Sequence, residues 1–149
     1  MEDFAQVVRL TPLISIDLVV RNSENRILVG RRTHEPAKSV FFVPGGRICK
    51  NERLEAAFGR ISRSELGREI NFHASRFIGV FEHFYDTNRL AKPGFGTHYV
   101  VLAYEMKVDP ASLNLPGDQH SEFAWRTPAE LLPSPHVHEN TKAYARSFL

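Results

Sequence analysis

Residues 46–67, GRICKNERLEAAFGRISRSELG, restrict what this chain can become more than any other stretch. Leu54, Ala57, Phe58 and Ile61 follow the i, i+3, i+4, i+7 rule and form one apolar stripe of a helix. Asn51 can cap that helix, and Glu52 and Glu55 suit the positive end of its dipole. Gly67 supplies the stop. At about 100° per residue, Glu65 falls on the same stripe, over Ile61 and near Phe58. Its carboxylate therefore points inward. An unpaired buried carboxylate costs several kcal/mol, so Glu65 needs a cation or strong donors. The helix alone leaves two readings open: a metal site, or a buried ion pair with Arg60.

The approach to the helix favours the first. Phe41-Phe42-Val43-Pro44-Gly45-Gly46-Arg47 reads as a short buried strand running into a Gly-Gly turn. Adjacent glycines let the backbone come close to a ligand. A carbonyl here can serve as a hard oxygen donor to magnesium or calcium. Arg47 presents a planar fork suited to a diphosphate. In isolation an ordinary tight turn is the better explanation of Pro44-Gly45-Gly46. Taken together, Gly46, Glu52, Arg60, Glu65 and Gly67 have the spacing of a loop–helix diphosphate and metal site. Two positions that usually carry carboxylates in such a site hold Ile61 and Ser64. The scaffold is kept and the metal chemistry is reduced.

Length and composition narrow the class. The 149 residues predict one α/β domain with a real core. A hydrophobic content of 42% and a charged content of 24% are ordinary for a soluble globular chain. The net charge of +2 gives no case for a nucleic-acid partner, and suits an anionic small molecule. Cys49 is the single cysteine, so an intrachain disulfide is impossible and a reducing compartment fits. Cys49 reads as a bystander. No apolar run approaches the roughly 20 residues that span a membrane. The start Met-Glu-Asp lacks a basic-then-apolar leader, so a cytoplasmic location is expected.

The remaining pattern is regular. Residues 2–10 predict a short amphipathic helix with Phe4, Val7 and Val8 on one face. Residues 13–20 predict a strand, with Asp17 interrupting an apolar run. Residues 22–25 form a hairpin turn into a strand at 26–30. Further strands are expected at 76–85, 97–107 and 122–125. Residues 86–96 read as a mobile loop. A helical turn at 128–132 and a helix at 139–148 close the chain. One central helix, another outside and several strands predict an α/β/α sandwich over a mixed β-sheet.

On Gly46, Glu52, Arg60, Glu65 and Gly67 the chain resembles the Nudix box. With Ile61 and Ser64 in place of acids, it resembles the GDP-mannose mannosyl hydrolase branch of the Nudix superfamily. The likeness extends to Asp3-Phe4-Ala5, Thr11-Pro12-Leu13, Phe42 to Arg47, Leu54 to Phe58, His83 to Asp86, Thr97 to Leu102 and Gln119-His120. It covers nearly the whole chain, residues 1–149 as a single domain, and implies the Nudix fold.

The resemblance also implies a chemistry. Water attacks the anomeric carbon of GDP-mannose, and of GDP-glucose too, and GDP departs by C–O cleavage with inversion. One Mg2+ per subunit, replaceable by Mn2+, is held by Glu65, the Gly45 carbonyl and Gln119. Arg32, Arg47 and Tyr99 stabilise the diphosphate, and Arg60 orients Glu65. His120 is the base. On the residues alone an exposed loop histidine is the stronger reading, and the match of Gln119-His120 to the family reverses it. Asp17 and His83 are expected to read the sugar. Asp17 is a lone acid in an apolar strand that needs a partner or ligand, or else faces water at an edge. His83 and Tyr85 alternate on one strand face beside the loop at 86–96, which can close over the sugar. The branch implies a homodimer with the Phe4 segment near the site. His136 and His138 receive no role. Two rival classes stand beside this reading. One is a Nudix diphosphatase cleaving P–O, against which Ile61 and Ser64 argue. The other is a non-catalytic nucleotide-sugar binding module, against which Glu65, Gln119 and His120 argue.

Overall fold

The computed structural model describes residues 2–117 and 120–149. Its elements run α1 (Glu2–Leu10), β1 (Leu13–Arg21), β2 (Ile27–Arg32), β3 (Phe41–Phe42), β4 (Gly45–Arg47), α2 (Leu54–Leu66), β5 (Arg76–Tyr85), β6 (Thr97–Lys107), β7 (His120–Arg126), α3 (Pro128–Leu131) and α4 (Glu139–Arg146). The sheet order is β3-β2-β1-β6-β5, with β4 paired to β1 and β7 to β2. The β1–β6 pair is parallel and the other pairs are antiparallel, so the sheet is mixed, as expected.

Strand β1 is central, and its alternation builds two cores. Ile16, Leu18 and Val20 pack with Phe58, Ile61 and Leu66 of α2 on one face. Val19 packs with Leu131, Tyr144 and Ala145 of α3 and α4 on the other. This is the α/β/α sandwich, with α2 and α4 on opposite sides of one strand.

Several local expectations change. The Gly-Gly turn is instead strand β4, in register with β1 through Asp17↔Gly45 and Ile16↔Gly46. Helix α2 starts at Leu54, and its N-cap Arg53 makes no side-chain cap bond. Asn51 does not cap, and adopts a left-handed φ of 66°. The stop at Gly67 holds, with φ 69° and its N–H donating to the Arg63 carbonyl. In α1, Ala5 and Val8 are buried, but Val7 is exposed, so the stripe lies one position off the expected face. The loop at 86–96 is organised around fully buried Asn88. Its side chain donates to the carbonyls of Lys92 and Phe95, and accepts from the N–H groups of Leu90 and Lys92. Among the described residues, no helix is long and apolar enough to cross a membrane.

Candidate active site

A cleft of about 590 Å³ opens where β1, β4, α2 and the ends of β5 and β6 meet. A volume of this order suits a small organic ligand. Phe4, Asp17, Arg32, Gly45, Arg47, Arg60, Glu65, His83, Tyr85 and Tyr99 all line it. Ile61 and Ser64 share the α2 wall with Glu65. Gln119 lies outside the described residues.

Glu65 is buried, and its Oε1 accepts from the Gly45 N–H at 3.2 Å. The register explains the geometry. Leu18 N–H donates to the Pro44 carbonyl and Ile48 N–H to the Ile14 carbonyl. In an antiparallel pair, bonded positions alternate, so Gly45 turns both its N–H and its C=O away from β1. A side chain is excluded there, because a Cβ would lie 2.5 Å from Asp17 Oδ1.

His120 is not the exposed loop residue that its surroundings in sequence suggest. It opens β7 and is buried, with Nε2 3.7 Å from Glu65 Oε1 and its ring against Gly30. It sits behind Glu65 rather than on the cleft wall.

Arg60 does not orient Glu65. Its guanidinium binds Glu52 through Nε at 2.8 Å and Nη2 at 3.0 Å, and donates to the Arg47 carbonyl at 2.7 Å. Glu52 in turn accepts from the Cys49 N–H. The Arg60 bond and then the Cys49 N–H hold the Glu52 carboxyl down at about 2. The pair therefore staples the loop before α2 onto the helix. The reading of Glu65 as an ion-pair partner of Arg60 is overturned for the same reason.

The opposite end of the cleft is wired through α4. Asp17 is buried in the central strand, not at a wet edge, and its Oδ2 accepts from the Tyr144 hydroxyl at 2.6 Å. Burial pushes its carboxyl up to about 6, against the Tyr144 bond and the charge of Arg32. His83 Nε2 lies 3.5 Å from the same hydroxyl. Burial, then the neighbouring charges of His138 and Arg32, lower His83 to about 4, so it is neutral near pH 7. Burial raises the Tyr85 hydroxyl to about 12 and also lifts Tyr99. Tyr85 Oη accepts from Asn140 Nδ2 at 3.0 Å. His138, given no role from sequence, caps α4 by accepting from the Asn140 N–H and packs on Phe42 and Tyr85.

The arginines give the cleft its sign. Arg32, Arg47, Arg60 and Arg89 line it, against the carboxylates of Asp17 and Glu65. Arg32 lies over the Phe42 ring at 4.6 Å and donates to the Pro36 carbonyl at 3.1 Å. Arg47 lies over the Phe4 ring at 4.3 Å, which ties α1 to the rim. Such a lining favours a dianionic group.

The described residues contain no cluster of three or more His, Cys, Asp or Glu able to hold a metal ion. What the α2 wall offers is one buried carboxylate, Glu65, beside a Gly45 carbonyl that β1 does not use. Two oxygen donors of this kind fit one hard divalent ion that keeps several waters. They do not fit a multi-ion cluster.

Sequence reasoning missed Tyr144, Asn140 and Arg89. The signal for the first was Asp17 itself, a lone acid that required a donor. Nothing in the sequence said which of the 4 tyrosines would supply it.

A family model described as the NUDIX domain matches residues 11–147. The chain is 38% identical over 123 residues to the low-salt glycan biosynthesis protein Agl8 of Haloferax volcanii, covering 82% of this chain and 75% of that protein. Its fold is similar to a MutT NUDIX hydrolase from Burkholderia pseudomallei, with a TM-score of 0.72 at 21% identity, covering 93% and 99% of the two chains. It is also similar to the NUDIX domain of Shewanella oneidensis NrtR, solved with ADP ribose, with a TM-score of 0.67 at 17% identity, covering 93% and 88%.

Proposed function

The chain belongs to the Nudix hydrolase family, and from that premise we propose that it hydrolyses GDP-mannose, with GDP-glucose as a second substrate, to GDP and free sugar. Water attacks the anomeric carbon, and the configuration there inverts. The observation that carries this reading is the single inward carboxylate of α2. Glu65 faces the cleft with Ile61 and Ser64 beside it, and Glu52 is tied to Arg60. In-line attack on phosphorus between clamped metal ions draws on several carboxylates. This wall supplies one. A dianionic leaving group needs less, namely cationic donors along the diphosphate.

The residues divide the work by position. Arg32 and Arg47 bind the diphosphate and take up the charge that develops on departing GDP. Tyr99, whose hydroxyl burial raises above its ordinary value, donates a hydrogen bond to the same group. Glu65, the Gly45 carbonyl and Gln119 would hold one Mg2+ per subunit, which when bound neutralises the leaving diphosphate. Asp17 and His83 read sugar hydroxyls at the α4 end. His120 accepts the proton of the attacking water. Its imidazole lies behind Glu65, 3.7 Å away and off the cleft wall, so the role requires the site to open around His120 when substrate binds. The reading includes a homodimer. The name of the Haloferax relative supports a nucleotide-sugar substrate, since glycan biosynthesis draws on nucleotide sugars.

Product analysis tests the proposal. GDP and mannose are expected, with the first-formed mannose inverted by proton NMR. Retention of configuration, or GMP with mannose phosphate, contradicts it.

A further inference from the structure

Helix α4 bonds to two cleft-lining residues, and between them to the chain just before β4. Asn140 donates to Tyr85 Oη, Thr141 Oγ1 accepts the Val43 N–H at 3.3 Å, and Tyr144 donates to Asp17. Tyr144 is wholly buried, and its ring packs edge-on against Phe81 with centroids 4.8 Å apart. A phenol has one proton to give. Spent on Asp17 Oδ2, it leaves the Tyr144 oxygen able only to accept, and His83 Nε2 is its neighbour at 3.5 Å. The other Asp17 oxygen, Oδ1, lies close over Gly45, where a Cβ would meet it at 2.5 Å, and both residues line the cleft. The two oxygens of Asp17 are thus divided, one bonded to Tyr144 and one left beside the cleft-lining strand.

We infer that Tyr144 is a positioning residue for sugar recognition: its hydroxyl fixes Asp17 so that Oδ1 is set as the acceptor for one substrate hydroxyl. The inference rests on the nucleotide-sugar reading above. It makes α4 the element that sets the sugar end of the cleft, as α2 sets the diphosphate end. Tyr144 touches no reacting atom. It acts through Asp17, by the same logic that makes supporting hydrogen bonds decide how sharply a primary contact discriminates.

The test measures kcat/KM for GDP-mannose and for analogues each lacking one sugar hydroxyl. The wild type, Tyr144→Phe, Asp17→Asn and the double variant are compared, with thermal melting recorded for each. Phenylalanine keeps the ring against Phe81. The wild type is expected to penalise loss of one particular hydroxyl, and Tyr144→Phe to shrink that penalty about tenfold, the order of a hydrogen bond to a charged group. Asp17→Asn removes it. The double variant is expected to match Asp17→Asn, because the tyrosine acts only through the acid. A full wild-type penalty in Tyr144→Phe overturns the inference, as do losses that add in the double variant. Should Tyr144→Phe fold poorly, the double variant, which buries no unpaired charge, decides the same question against Asp17→Asn. A wild type that neither binds nor hydrolyses GDP-mannose sinks the functional reading and this inference with it. An active wild type with an unchanged Tyr144→Phe sinks the inference alone.

Discussion

Replacing Gly30 by alanine tests whether the placement of His120 matters. Gly30 sits in β2, paired in register with Phe42 on one side and with Phe123 on the other, so its backbone is hemmed in by both neighbouring strands. An added Cβ would lie 2.5 Å from both Cγ and Nδ1 of His120 and 2.9 Å from its Cβ, whereas ordinary contact begins at 3.4 Å. The imidazole must therefore withdraw by about 0.9 Å. The near atoms include the base of the side chain, so a rotamer change does not relieve the clash. Overpacking of this kind costs about 1–3 kcal/mol. For a domain of this size that lowers Tm by roughly 3–10 °C. Misplacing a catalytic group by about 1 Å costs on the order of 10²-fold in rate. The assay is kcat and KM for GDP-mannose well below the transition, with melting followed by circular dichroism. The expected result is a lowered Tm and a kcat down about a hundredfold, with KM little changed. A folded Gly30→Ala protein with wild-type kcat refutes the base assignment.

Three further outcomes are expected. His120→Gln is expected to lower kcat by about 10²–10⁴ with little change in KM, and an unchanged kcat removes the residue from the role. Glu65→Gln is expected to weaken the magnesium dependence of activity by at least about tenfold in half-saturating concentration, since the described α2 wall offers no other carboxylate; an identical titration contradicts the site. His83 is held near 4 in the fold against an ordinary 6.5. A base with a depressed folded value stabilises fully above 6.5, and that contribution is lost as pH falls from 6.5 through 4, to an extent of about 2–3 kcal/mol. Melting temperatures between pH 7 and 4 should fall more steeply for wild type than for His83→Phe; parallel curves contradict the burial argument.

Much of the fold was legible because its signals were local. The alternation of residues 76–85 and 97–107 gave β5 and β6, and the stripe ending at Glu65 gave α2 and the inward carboxylate. The errors lie where a tertiary contact overrides a local rule. Asn51 and Glu52 look like a helix start, yet Arg60, eight residues on, draws Glu52 into a bond outside the helix. Gly45 and Gly46 look like a turn. They form a strand because they pair with β1, and both are glycine because Asp17 and Ile61 fill the space their side chains would need. His120 follows Gly117 and so looks exposed, but Gly30, distant in sequence, leaves a slot for its ring. The composition of the cleft was readable. The Tyr144–Asp17 bond spans 127 positions, and no local pattern carries it.

Which bond breaks, C–O or P–O, separates the proposed chemistry from a diphosphatase. Hydrolysis of GDP-mannose with magnesium in heavy-oxygen water reads it directly by mass spectrometry. Label in free mannose, with unlabelled GDP, is the predicted result. Label on phosphorus, in GMP or mannose phosphate, contradicts the account.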